Sequence, residues 1–366
     1  YGASLKKGSA VSTSRDAHKT SRMINRAIMT GILSTGVNVH DYGVTPMPVV
    51  RFLSRSGTEA GGIHTRRSPF DTQLIDLKFF DNKGLDLHPG YEKTIEKLFF
   101  REDFPRVSMD ETGEMVFPIH AFESYQDSFM SMIDSATVKK AKFKFILDYS
   151  YGSSSRLFPS ILGKLNCEVI ALNANLDGSK MTKTAEEFQR SMDQISSIVR
   201  SLDADMGFYL DAGGEKVFFF DDTGEALDGD TALNIVTLLT LKYCKETGRK
   251  GHIAVPITAS RAIDRMAETY GFAVKRTKTT GRGLMEAAAE EGTLFVGEQL
   301  GGYIFPEFQP NFDGMYAIAK VLEMLARHGA RAPLTDPVEA LGEDPVQLGP
   351  GLERHLEGGG EETLLV

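Results

Sequence analysis

Short apolar runs with the length of buried strands alternate with amphipathic helical segments along most of this chain. The clearest run is Phe143–Tyr149, and the same alternation of strand and helix returns around His252–Ile257 and Thr293–Val296. Strands that alternate with helices build mainly parallel sheets that are covered by helices. A chain of 366 residues is also too long for one ordinary hydrophobic core. We therefore predict an α/β protein with several domains in series.

Breaks rich in turn-forming residues divide the chain into three such units and a tail. We place the first unit at residues 1–121, the second at 122–228 and the third at 229–329. The first unit begins abruptly at Tyr1, so we expect its N-terminus to be truncated. In residues 330–366 the periodicity weakens and proline, glycine and glutamate accumulate, which indicates a linker and the start of a fourth domain.

Charge and cysteine content narrow the classes of function. A net charge of −9 disfavours nucleic-acid binding, because the phosphate backbone repels an acidic protein. No apolar run approaches the roughly 20 residues that span a bilayer, so no membrane partner is expected. The two cysteines, Cys167 and Cys244, lie far apart in apolar stretches, which favours free thiols in a reducing compartment. We expect a cytoplasmic protein.

Several loops carry motifs that resemble one known family in their order and separation. Ser14–Ser21 resembles the Gly-Arg-Asp-x-Arg-x-Ser-Ser motif of the phosphohexomutases, the phosphoglucomutase and phosphomannomutase family, and Asp41–Pro46 resembles their Asp-x-Gly-x-x-Thr-Pro motif. Asp205–Gly207 followed by Asp211 is similar to the approach to that family's metal loop, and Gly297–Gln299 to its sugar-specificity loop. The resemblance implies three successive phosphohexomutase-type α/β domains with mainly parallel sheets and a truncated fourth domain.

The resemblance also implies a ligand and a reaction. In that family a phosphoserine donates its phosphate to a hexose phosphate, so the expected ligand here is mannose phosphate or glucose phosphate. The chemistry needs an oxygen nucleophile, a Mg²⁺ ion that neutralises the transferring group, and polar contacts to the sugar. The residues that the resemblance assigns to substrate binding are Arg15, Lys278, Arg282 and Glu298.

The segment in the place of the family's serine loop departs from the pattern Thr-Ala-Ser-His-Asn-Pro. This chain reads Ile63–Pro69 there, and alignment on the proline puts Arg66 at the serine position, followed by Arg67. A guanidinium group cannot carry a phosphoryl group. Thr65 and Ser68 are neighbouring hydroxyls, but a misplacement of about an ångström costs roughly a hundredfold in rate. We predict that transfer through this loop is lost and that the arginines contact a sugar phosphate; two solvated arginines are the alternative.

The metal loop, residues 211–215, is also incomplete. The family supplies three aspartates at alternate positions, whereas this chain has Asp211, Gly213 and Glu215. Asp211 and Glu215 predict weak binding of Mg²⁺, which often uses only one or two protein carboxylates together with water. An exposed hairpin tip with solvated acids, between strands at Met206–Leu210 and Lys216–Phe220, is the alternative.

Three hypotheses on function follow. The first is a mutase-like module that no longer transfers phosphate and is a phosphosugar-binding or structural part of a longer sugar nucleotidyltransferase chain. It rests on a resemblance to the C-terminal half of bacterial mannose-1-phosphate guanylyltransferase-type chains, in which a nucleotidyltransferase domain would precede Tyr1. The second is an active phosphomannomutase or phosphoglucomutase with an unusual nucleophile. The third is an oligomerisation scaffold with an exposed apolar face.

Overall fold

The computed structural model of the chain describes residues 1–69, 71–102 and 104–329. Three sheets, each covered by helices, follow one another along the sequence. This confirms the predicted α/β architecture of three successive domains with mainly parallel sheets. The predicted linker and start of a fourth domain, residues 330–366, lie outside the described residues.

The first domain is built on a five-stranded sheet in the order β4-β3-β1-β2-β5. Strand β1 is parallel to β2 and β3, and β4 is antiparallel to β3. Its elements are β1 (Ala10–Arg15), α1 (Lys19–Leu33), β2 (Asn38–Val44), α2 (Met47–Ser56), β3 (Gly61–Arg67), β4 (Ile75–Asp81), α3 (Pro89–Arg101) and β5 (Met115–Val116).

The second domain has a four-stranded sheet in the order β7-β6-β8-β9, in which only β9 runs antiparallel to its neighbour. Its elements are α4 (Ala121–Ser131), α5 (Ser135–Ala141), β6 (Lys144–Asp148), α6 (Phe158–Lys164), β7 (Glu168–Leu172), α7 (Ala185–Leu202), β8 (Met206–Leu210) and β9 (Val217–Phe220).

The third domain has a sheet in the order β11-β10-β12-β13, with β13 antiparallel to β12. Its elements are α8 (Gly229–Glu246), β10 (His252–Pro256), α9 (Ala262–Tyr270), β11 (Ala273–Thr277), α10 (Gly281–Ala288), β12 (Thr293–Gly297), β13 (Tyr303–Ile304) and α11 (Gly314–His328).

Helix α7 shows how local sequence signals fix an element. Thr184 caps its N-terminus, and Glu187 reaches back to the backbone N–H of Thr184, which completes a capping box. Met192, Ile195 and Val199 then recur at helical spacing and are buried on one face. The helix therefore has a defined start and a defined packing face before any tertiary contact is considered.

Aromatic side chains from all three domains share one hydrophobic core. Phe52 of α2 stacks on Phe308, with ring centroids 5.3 Å apart, and Phe308 stacks on Tyr316 of α11 at 4.5 Å. Phe129 of α4 contacts both Phe308 and Tyr316 edge-on. Leu85 of the first domain is buried in a second cluster, which belongs otherwise to the third domain. The three domains are thus packed on one another through these apolar side chains.

Across the three described ranges, no helix combines the length and the apolar character that crossing a bilayer requires.

Candidate functional site

Arg66 lies at the end of strand β3, in contact with the metal loop of the second domain. β3 is held on both sides, parallel to β1 and antiparallel to β4, and Arg66 is paired in register with Asp76 of β4. Arg66 Nη1 donates a hydrogen bond of 3.2 Å to Glu215 Oε2 in the metal loop, and Arg66 Nε lies 3.5 Å from Asp76 Oδ2. Only 15% of the Arg66 side chain is exposed. The arginine is therefore not solvated, in contrast to one of the two alternatives considered from the sequence.

The charge of Arg66 is stabilised by acids from two domains. Burial alone would lower the pKa of its guanidinium, but the Glu215, Asp211 and Asp76 carboxylates outweigh burial and hold that pKa above its ordinary value. Burial and the neighbouring Glu215 charge raise the pKa of Asp211, whereas Arg66 and backbone N–H groups oppose that rise. Arg66 is thus a cation that compensates two partly buried acids.

The metal loop is packed between the first and third domains. Met47 N of α2 donates to Gly213 O at 3.1 Å, and Gly314 N of α11 donates to Gly214 O at 2.9 Å. Our expectation of an exposed hairpin tip is therefore wrong, because backbone hydrogen bonds from sequence-distant helices hold this loop on both sides. Asp211 fixes the turn, since its Oδ1 accepts from the backbone N–H groups of Glu215 and Lys216 at 2.7 and 2.8 Å.

The sugar loop, residues 297–302, contacts the metal loop through a second ion pair. Lys216 Nζ lies 3.1 Å from Glu298 Oε1, and an isolated β-bridge joins Lys216 to Gly302. Glu298 is buried, with 7% of the residue exposed. The predicted sugar-binding carboxylate is therefore neutralised by a lysine of the second domain.

The remaining predicted substrate-binding residues lie at strand and helix ends of the first and third domains. Arg15 ends β1 and donates from Nη1 to Asp16 O at 2.9 Å; burial lowers the pKa of its guanidinium. Lys278 follows β11, is exposed, and forms no ion pair with any residue that the structure describes. Arg282, in the first turn of α10, donates from Nε to Glu286 Oε1 at 2.7 Å, while its buried Nη1 has no hydrogen-bond partner within the described ranges.

The two hydroxyl neighbours of Arg66 point into the protein. Thr65 is fully buried and donates from Oγ1 to Asn25 Oδ1 at 3.4 Å. Ser68 is 5% exposed, and its carbonyl oxygen accepts from Thr182 Oγ1 at 2.7 Å. Arg67 bridges the first and second domains, since its Nη1 donates to Ser179 O at 3.1 Å.

The chain matches the sequence patterns of three successive domains of one family. Residues 1–106 match phosphoglucomutase/phosphomannomutase alpha/beta/alpha domain I, residues 123–224 match domain II, and residues 228–343 match domain III. The chain belongs to the phosphohexomutase family. The three domains described above are therefore the first three of a phosphohexomutase, in the family's own order.

Individual phosphohexomutases are similar to this chain in sequence and in fold. A phosphoglucomutase/phosphomannomutase from Thermococcus kodakarensis is 29% identical over 344 residues, which covers 94% of this chain and 73% of that protein. A family protein from Burkholderia thailandensis superposes with a TM-score of 0.76 at 20% identity, covering 92% of this chain and 71% of that one. An Aspergillus fumigatus N-acetylphosphoglucosamine mutase, solved with GlcNAc-6P and magnesium, superposes with a TM-score of 0.54 at 13% identity, covering 90% and 65%. The structural similarity shows a common fold.

The metal that the phosphohexomutase resemblance implies does not fit the residues of this loop. No group of three or more His, Cys, Asp or Glu side chains forms a metal site in the part of the chain that the structure describes. Asp211 uses one oxygen for two backbone hydrogen bonds, and Glu215 is paired with the Arg66 guanidinium. A cation already lies against these acids, so a second one would be repelled.

Arg51 is a site residue that the sequence analysis missed. It is 1% exposed, its Nη1 donates to Gly84 O at 2.6 Å, and its Nη2 pairs with Asp86 and lies 3.8 Å from Glu215 Oε1. Glu215 therefore faces two arginines of the first domain. The available signal was an arginine in the middle of the apolar run Met47–Leu53, where a charge survives only with a partner.

Proposed function

We propose that this chain is a phosphohexomutase-family module that binds a hexose phosphate without transferring its phosphoryl group. The observation that carries the proposal is the ion pair between Arg66 and Glu215. By the family resemblance, Arg66 stands at the serine position and Glu215 in the metal loop. The two loops that would hold the nucleophile and the metal are thus joined by a guanidinium, which cannot carry a phosphoryl group, and by a carboxylate that is paired with it.

Burial of the neighbouring hydroxyls argues against an active mutase with a substitute nucleophile. Thr65 is fully buried, and Ser68 is buried at 5% exposure. A nucleophile must reach the phosphorus of a bound sugar phosphate in an aligned geometry. Either hydroxyl would first have to leave the interior, so the geometry favours binding over turnover.

Cationic side chains of the first and third domains support a phosphate ligand. Lys278 is exposed with no ion pair among the described residues, and Arg282 has a buried Nη1 that lacks a hydrogen-bond partner there. Cationic groups without a partner are stabilised most by binding an anion, because phosphate oxygens accept charge-assisted hydrogen bonds from them. Arg15 is the third candidate, on the first domain. Arg66 and Glu298 are committed to Glu215 and Lys216, so we assign them secondary roles in binding.

Thermal unfolding of the full-length protein with sugar phosphates tests the binding part of this proposal. Glucose 6-phosphate, mannose 6-phosphate and N-acetylglucosamine 6-phosphate are compared with the free sugars. A ligand at a hundred times its Kd adds about 2.7 kcal/mol to the free energy of unfolding, which raises the Tm by a few degrees. We expect a shift with at least one sugar phosphate that is lost when Lys278→Ala and Arg282→Ala are combined.

Lys250→Ala is the matched control, because this exposed lysine precedes β10 at the opposite end of the same sheet. It should keep the full shift. If no sugar phosphate raises the Tm, or if the shift survives the double variant, the binding proposal fails and the scaffold hypothesis replaces it. Phosphate on Thr65 or Ser68, detected by mass spectrometry after incubation with a hexose bisphosphate, would instead support an active mutase.

Two finer parts of the proposal rest on the sequence alone. The link to a nucleotidyltransferase is tested by the reading frame upstream of Tyr1, where a nucleotidyltransferase signature is expected. A cytoplasmic location follows from the two free cysteines, and fractionation of cells that express the native gene tests it.

A further inference from the structure

Three polar groups converge on Gly213, where the family carries an aspartate. A β-carbon on Gly213 would lie 3.0 Å from Asp211 Oδ2, 3.2 Å from Arg66 Nη1 and 3.6 Å from Glu215 Oε2. The backbone of Gly213 does not adopt a positive φ, so its conformation does not demand glycine. A β-carbon at this position would crowd the Asp211 carboxylate and the Arg66 guanidinium, so glycine leaves room for both groups.

The charges around this point need a cation. Asp211 and Glu215 come from one short loop, and two nearby carboxylates repel each other strongly when buried. Arg66 Nη1 lies 3.2 Å from Glu215 Oε2, and Arg51 Nη2 lies 3.8 Å from Glu215 Oε1. Both arginines belong to the first domain, whereas both acids belong to the second. The cation that neutralises the acids of the metal loop therefore also connects the first and second domains.

We propose that the Arg66 guanidinium has taken the place of the divalent cation in the metal loop, with Gly213 providing the room for it. The joint between the first and second domains is accordingly held by a protein cation and is independent of divalent metal. This inference takes the loop assignments from the proposed function, but it concerns stability. It can fail while sugar-phosphate binding stands, and it can hold if no sugar phosphate binds.

Metal rescue of an arginine variant tests the inference. We expect the Tm of the parent full-length protein to be the same in a chelator and in millimolar Mg²⁺. Arg66→Ala should melt lower in the chelator, by on the order of 5 °C, because it removes the nearer of the two guanidiniums that compensate the acids of the metal loop. Millimolar Mg²⁺ should recover a measurable part of that loss. Arg66→Gln, a neutral side chain of similar reach, provides the same test if Arg66→Ala does not fold.

Arg276→Ala is the matched control. Arg276 is also a partly buried arginine paired with an acid, Asp264, but both lie within the third domain. This variant should lose stability and show no response to Mg²⁺. Arg66→Lys, which keeps the charge, should likewise show no response.

A double-mutant cycle tests the claim that Gly213 leaves room for the Arg66 guanidinium. Gly213→Ala should lower the Tm in the parent, because its β-carbon crowds the guanidinium, and should lower it less in the Arg66→Ala background. An equal loss in both backgrounds would overturn the coupling of these two positions. A Tm of the parent that rises with Mg²⁺, or an Arg66→Ala variant that ignores Mg²⁺, would overturn the replacement of the metal.

Discussion

Arg66 and Glu298, for which the sequence predicts contacts to the phosphate and to the sugar, each form an ion pair inside the protein. Arg66 pairs with Glu215, and Glu298 pairs with Lys216. Both pairs join different domains, so the charges that the sequence assigns to ligand contacts hold neighbouring domains together. Opening either pair removes a close partner from a largely buried charge, which is costly. At the scale of single residues, these two ion pairs therefore contribute to the stability of the domain contacts.

The sequence predicts which site residues are unusual but not what they contact. Arg66 and Gly213 stand out individually against the family pattern. Their contact across about 150 positions depends on how β3 and the metal loop meet, which no local pattern contains. Arg51 was missed for the same reason, since its partners Asp86 and Glu215 lie on other elements.

His64, next to the serine position, makes the stability of the protein depend on pH. It is fully buried, and its Nδ1 lies 2.7 Å from Ser14 Oγ. Burial, with the charges of Arg66 and Arg51, lowers the pKa of His64 to about 3 from an ordinary value of 6.5. The unfolded chain therefore binds a proton below about pH 6.5 that the folded protein does not bind. Stability should fall as the pH drops from 6.5 towards 3, by up to about 1.4 kcal/mol per pH unit from this residue.

His64→Gln keeps a hydrogen-bonding group and removes the titration. Denaturant unfolding of both proteins between about pH 7 and pH 4 should show a shallower acid decline in the variant. Other titrating groups are common to both proteins and cancel in the comparison. Parallel declines would mean that His64 is protonated in the folded state.

At the scale of elements, strands and helices with strong hydrophobic periodicity can be predicted from the sequence. Elements whose segments are polar or contain proline cannot. Helix α7 and strands β6 and β11 follow directly from the sequence pattern. Strand β1 was not predicted because its buried centre is Ser12, Thr13 and Ser14, small polar residues that an interior strand accepts once β2 and β3 pair with its backbone. Helix α2 was not predicted because Pro46 and Pro48 indicate a turn, although proline is well tolerated in the first turn of a helix.

Leu85, in the turn after β4, anchors the first domain on the third. It is 5% exposed and belongs to a cluster with Leu284, Met285 and Phe312. Leu85→Ala should lower the free energy of unfolding by about 3 kcal/mol, the usual cost of a cavity at a buried leucine. Leu77→Ala is the control in β4, because Leu77 is 40% exposed, and it should change stability little. Equal midpoints of denaturation for the two variants would contradict this role for Leu85.

At the scale of the whole molecule, the sequence is sufficient to predict the fold class and the family. It is not sufficient to predict how the metal loop packs between the domains. The order of strands and helices predicted three α/β domains, and the matched family domains follow the same order. A solvated tip was one of the two alternatives for the metal loop, yet the loop lies between domains whose packing depends on aromatic contacts such as Phe52 with Phe308. Interdomain geometry of this kind is set by residues more than 200 positions apart in the chain, beyond the reach of periodicity.

Any binding of divalent metal by the intact protein is expected to be weak. Asp211 and Glu215 are its only carboxylates in the metal loop, and Arg66 already compensates them. Calorimetric titration with Mg²⁺ should show a Kd no tighter than about millimolar. Micromolar affinity that disappears in Asp211→Ala would contradict this expectation.

Turnover by the full-length protein tests the central claim most directly. A coupled assay measures conversion of glucose, mannose and N-acetylglucosamine 1-phosphates to the 6-phosphates, with hexose bisphosphate and Mg²⁺ supplied. Because Arg66 cannot carry a phosphoryl group and Thr65 and Ser68 are buried, we predict no turnover above that of a blank. Arg66→Ser alone should stay inactive, since the metal loop still lacks its third acid. Robust turnover that persists when Thr65→Ala and Ser68→Ala are combined would contradict the account.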